Sequence, residues 1–176
     1  MGARMFDAWE NYFLIVGPSA AALIGLMFVV ITLTAGRQRD EVDSGKKLYT
    51  SPIVWHLAVI LVLSGGAIVP AMNAKFYAAA CGGLGILGVL MGCRSAAGIV
   101  RFRGSSNKLF DAVWYGAAPA IACLGLIVAA VALFRGSAWA PAAVAADLMA
   151  LLLISIHAEW DLVTFLAPMA GQSDRG

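Results

Sequence analysis

Apolar residues run along the chain in long, nearly unbroken blocks, without the alternation or the three-and-four spacing that gives a soluble strand or helix one wet face. Five blocks stand out, at about residues 12–35, 53–72, 76–100, 112–134 and 141–160. A hydrocarbon core about 30 Å thick takes about 20 helical residues to cross, so each block predicts a transmembrane helix. In lipid every backbone N–H and C=O must be bonded within the segment. The blocks are also too long and too uniformly apolar for the roughly ten-residue alternating strands of a membrane barrel. Ser51 followed by Pro52 predicts the start of the second helix, a hydroxyl cap and then a ring with a helical φ. The stretch Gly36 to Thr50, with Arg37, Asp40, Glu41 and Lys47, predicts a solvated connector.

The expected fold is therefore all-α, a polytopic transmembrane bundle of about five spans forming a single domain over residues 1–176. Composition agrees: 61% of residues are hydrophobic and 12% charged, against roughly 45–50% and 25% in soluble domains. The blocks recur along the whole chain, unlike the single apolar segment of a removable leader. A net charge of +2, with basic residues confined to short loops, argues against a nucleic-acid partner.

Those loop charges set an orientation. Arg37, Arg39, Lys46 and Lys47 lie between the first two blocks, and Arg101, Arg103 and Lys108 between the third and fourth, with Arg94 nearby. The other side has Arg4, Lys75 and Arg135. The positive-inside rule then places the amino terminus outside and the carboxyl terminus in the cytoplasm. Trp9, Trp55, Trp114, Trp139 and Trp160 each fall near a block end, where indoles anchor at the interface.

Helices in lipid associate through small residues and hydrogen bonds. Gly82, Gly85, Gly88 and Gly92 recur at helical spacing and predict one close-packing face on the third helix. Gly17, Ala21 and Gly25 form a second such stripe, and Ala142, Ala146 and Ala150 a third. They are open to packing within one chain or to a homo-oligomer or larger membrane complex. Pro18, Pro70 and Pro119 are candidate bends. Cys81, Cys93 and Cys123, odd in number and inside apolar blocks, read as small core residues.

Few polar residues lie deep. Asp147 falls four residues before Leu151, the middle of the fifth block, where an aspartate costs about 2.5–3.5 kcal/mol. It should face the bundle, with Ser64 at similar depth as a hydrogen-bond partner, and it serves either as a helix-holding acid or as a group that moves protons or ions. Glu10 and Lys75 are expected at the outer surface, paired or at the mouth of a cavity, and Arg94 is expected to snorkel to the headgroups. On the cytoplasmic side the ends of spans two, four and five carry His56, Asp111, Tyr115, His157 and Asp161. His157 and Asp161 are four apart and share a helix face. Convergence would suit a pH-sensitive cluster, or a divalent metal or haem held by His56, His157 and Asp161; no local motif requires such a cofactor, and the alternative is ordinary solvation at helix ends.

The stretches Trp9-Glu10-Asn11-Tyr12-Phe13, Ser51-Pro52-Ile53-Val54-Trp55-His56, Asp111 with Trp114 and Tyr115, and His157-Ala158-Glu159-Trp160-Asp161-Leu162-Val163-Thr164 resemble small uncharacterised bacterial five-helix inner-membrane proteins. The resemblance implies a multi-pass inner-membrane location and carries no activity. Enzyme chemistry is not expected, since P-loop, HExxH and GxSxG patterns are lacking. Three functions stay open: a small channel or transport component with an intramembrane carboxylate, a structural or accessory subunit, and a membrane-embedded metal or haem protein.

Overall fold

The structure, a computed structural model, describes the backbone of residues 5–34, 40–101 and 112–171, and the side chains of residues 5–32, 52–99 and 112–164. Helix follows helix. A 3-10 turn at Asp7–Trp9 leads into α1, Glu10–Thr34; α2 is Asp40–Ile68 and α3 is Ala74–Arg101. A π-helical turn at Val113–Ala117 leads into α4, Ala118–Phe134, and α5 is Ala140–Gly171. No strand occurs among the described residues. Among the described residues four stretches are long and apolar enough to cross a membrane: Asp7–Thr32, Ala74–Ile99, Val113–Phe134 and Ala140–Thr164.

Helix α2 departs from expectation at both ends. It starts at Asp40, so Ser51 is not its cap, Pro52 lies inside it, and much of the expected connector is helical. The sequence there opens with Asp40, Glu41 and Asp43 and brings Lys46 and Lys47 a turn later, the order of charge that suits a helix dipole and i,i+4 pairing. Its other end is Ile68, four residues short of Met72, because Pro70 disfavours helical geometry at the residue before it. Ala71 then takes a φ of 58°, a left-handed conformation unusual for a residue with a side chain. The apolar part of α2 is thus the shorter stretch Pro52–Ile68, about 25 Å of rise.

Other boundaries have local causes. The side chain of Asn73 accepts from the backbone N–H groups of Lys75 at 2.9 Å and Phe76 at 3.3 Å, capping α3. Helix α4 ends in a Schellman turn: Ser137 N–H bonds to Ala132 O at 2.9 Å and Gly136 N–H to Leu133 O at 3.0 Å, with Gly136 at φ 69°. Helix α5 runs to Gly171, beyond the expected end at Trp160.

Successive helices run back and forth. At one end the Phe6 ring packs edge-on against Tyr77 at 5.0 Å and Phe13 at 5.3 Å. There Tyr77 donates to Leu63 O at 2.9 Å and Tyr12 to Ala145 O at 2.6 Å. These contacts bring the starts of α1, α3 and α5 beside the end of α2, so α2 returns along the bundle between α1 and α3.

The tightest seam lies between α3 and α4, where the glycines are used. A methyl on Gly85 would meet Ile127 Cγ1 at 2.8 Å and the Cys123 carbonyl oxygen at 3.0 Å, and one on Gly92 would meet the Gly116 carbonyl oxygen at 2.9 Å. Gly88 lies against the Cys123 thiol and Gly82 faces Ala130. The stripe therefore packs within the chain. Gly17 abuts Ser64 of α2, whereas Gly25 has open space where a side chain would begin. Outward-facing apolar residues, among them Ile15, Phe28, Val62, Leu90, Ile121 and Leu153, occur on every helix. Such a surface on a bundle of long apolar helices fits a multi-pass integral membrane protein.

Candidate functional site

The π turn at Val113–Ala117 shapes a polar contact between helices. Pro119 has no N–H to offer the carbonyl four residues back, and Gly116 sits so close to α3 that a methyl there would meet Ala96 Cα at 2.9 Å. Backbone crowding and a missing donor together favour a widened turn. It presents Trp114 and Tyr115 toward α5.

Tyr115 donates its hydroxyl to Oδ2 of Asp161 at 3.0 Å. The same oxygen lies 3.5 Å from Nε2 of His157, one turn earlier on α5. That distance serves an ion pair once the imidazole is protonated, and it is too long for a good hydrogen bond. The His157 ring packs on Trp114, with centroids 4.4 Å apart and planes at 41°. Indole stacking thus fixes the imidazole beside the carboxylate, while the tyrosine holds the carboxylate from the other helix.

His56 lies nearby in the fold. A small cleft is lined by Ile53 and His56 of α2, by Tyr115 and Pro119 at the start of α4, and by Ser155 and Ala158 of α5. The expected meeting of the ends of spans two, four and five therefore occurs, with Tyr115 shared between cleft and carboxylate contact. Asp111 lies outside the described residues. Among the described residues no three His, Cys, Asp or Glu side chains form a group able to hold a metal ion, so His56, His157 and Asp161 do not form one.

Asp147 is partly buried and faces α4, and its surroundings differ from the expectation. The carboxylate fills the space where Gly125 lacks a side chain. Ser64 is not its partner: that hydroxyl is buried without a protein hydrogen bond, and its Cβ lies 3.1 Å from where a Gly17 side chain would begin. Equal depth did not mean equal azimuth, since Ser64 points from α2 to α1.

At the opposite end, a cavity of about 290 Å3 is lined by residues including Phe6, Asp7, Glu10, Ile68, Ala71 and Met72. Asp147 is not in its wall. Glu10 borders this cavity, while the Lys75 ammonium sits 5.7 Å from the centre of the Phe134 ring. The two ends of the polar inventory are thus separate. Arg94 is exposed along α3, as snorkelling requires. Trp139 and Trp160 are exposed, as interface anchors would be, but the Trp55 indole nitrogen is buried 4.0 Å from where a Gly88 side chain would begin. Cys81 and Cys123 are buried and Cys93 is exposed.

Sequence reasoning missed Ser155, which is buried in the cleft, and Gly125, which makes room for Asp147. A serine inside an apolar block facing the histidine end was a usable signal; the glycine was one of many. No family model, no curated protein and no solved structure matches the chain.

Proposed function

We propose that the chain is a five-span inner-membrane protein, amino terminus outside and carboxyl terminus cytoplasmic, that handles protons or small cations at the cytoplasmic end of α2, α4 and α5. The observation that carries this reading is the shared carboxylate oxygen of Asp161, which accepts from the Tyr115 hydroxyl at 3.0 Å and lies 3.5 Å from His157 Nε2. An acid, a phenol and an imidazole in contact across two helices make a set that can exchange a proton. Asp147 supplies a second carboxylate deeper in the bundle, where ionisable groups usually serve transport. The location accords with the implied inner-membrane resemblance, and five crossings accord with the return of α2 along the bundle. The test is proton flux into dye-loaded liposomes under an imposed potential, comparing wild type with Asp161→Asn, His157→Ala and Asp147→Asn. Flux that falls about tenfold or more in Asp161→Asn supports the reading; flux equal to empty liposomes in the wild type removes it.

A second reading, an accessory subunit that docks on another helix or on a second copy, is favoured by the outward face of α5. Ala142 and Ala146 are exposed there and Asp147 beside them is only partly covered. A partner backbone can approach small residues closely and give the acid a hydrogen bond. Mass determination of the protein in detergent tests docking on a second copy, which predicts an oligomer that Ala146→Leu disperses.

A further inference from the structure

The cleft between α2, α4 and α5 holds two polar groups that the protein's own bonding does not use. Among the described residues, His56 is 4% exposed with no hydrogen-bond partner for its Nε2, and Ser155 is 1% exposed with none for its Oγ. Buried polar groups are almost always bonded, because leaving one unmet costs its full desolvation. Both residues line the same cleft, whose free volume of about 10 Å3 is at the lower limit for one water molecule.

We infer that this cleft is a binding site for a single water molecule, bonded to Nε2 of His56 and to Oγ of Ser155. The chemistry selects water over other occupants. A hydroxyl donates or accepts, and an imidazole nitrogen does one or the other according to tautomer, so a molecule with two donors and two acceptors satisfies both in either state. An apolar group would satisfy neither, and a bare cation would need more oxygen or nitrogen ligands than the cleft presents.

The experiment is solid-state NMR of histidine-labelled full-length protein in lipid bilayers, measuring magnetisation transfer from bound water to the His56 ring. A His157→Gln background leaves His56 as the sole histidine signal. The expected result is transfer to the His56 ring in the parent protein, a several-fold loss in Ser155→Ala, and abolition in Ser155→Val, whose methyls fill the cleft, with the helical carbon fingerprint unchanged. Should Ser155→Val not fold, the parent and Ser155→Ala carry the comparison. Absent transfer in the parent, or transfer undiminished by Ser155→Ala, overturns the water site. Liposome flux is read separately: transfer without flux keeps the water and removes the proton-handling reading, and flux without transfer does the reverse.

Discussion

The carboxylate of Asp147 on α5 occupies the space left by the missing side chain of Gly125 on α4. A methyl group at that glycine would collide with the acid, meeting Asp147 Cγ at 3.0 Å as well as its oxygens, so the carboxylate would have to turn away. Gly125→Ala is therefore expected to destabilise the protein by about 1–3 kcal/mol, the cost of overpacking. The double variant Gly125→Ala with Asp147→Ala should recover most of that loss. Thermal unfolding in detergent, followed by the exposure of buried cysteines, measures both.

The α3–α4 seam makes a sharper prediction from two glycines two residues apart. Gly85→Ala meets Ile127 and the Cys123 backbone carbonyl, which cannot move without shifting α4, so a loss of about 1–3 kcal/mol is expected. Gly83 has open space where its side chain would begin. There Ala should be neutral or stabilising by up to about 1 kcal/mol, the helix-propensity difference. Equal melting temperatures for the two variants would show that the seam is looser than described.

Among the described side chains three tyrosines tie helices together, and one of them belongs to the proposed site. Tyr77→Phe loses the bond to Leu63 O and Tyr12→Phe the bond to Ala145 O, each expected to cost about 0.5–1.5 kcal/mol. Tyr115→Phe loses the bond to Asp161 at similar cost. It alone should also lower liposome flux, and a flux unchanged by Tyr115→Phe but reduced by Tyr77→Phe would place the functional groups elsewhere.

Element type was legible in the sequence because lipid admits only helices and closed barrels and the apolar blocks are too long and uniform for barrel strands, but orientation within the bundle was not. In a soluble helix polarity marks the wet side. Here Ile15 and Phe28 face outward while Phe13 and Val16 face inward, so both sides of α1 are apolar. Only small and polar residues distinguish them, which is why the Gly85–Gly88–Gly92 face could be found and the direction of Ser64 could not. The start of α2 was misplaced because a charged segment reads as solvated whether or not it is helical. The group around Asp161 was half legible: the i,i+4 spacing gave His157 and Asp161, but the π turn that brings Tyr115 to them arises from Pro119 and the crowding of Gly116 on Ala96, a tertiary contact.

Impermeant maleimide labelling of single cysteines, introduced into a cysteine-free background in intact cells or right-side-out vesicles, tests the five-span account most directly. Asn73→Cys and Ser137→Cys, in the two turns at one end, should react before permeabilisation, whereas Ser44→Cys and Gly171→Cys should react only after it. Labelling of Ser44→Cys in sealed membranes, or labelling of Asn73→Cys and Ser137→Cys from opposite sides, would contradict the account.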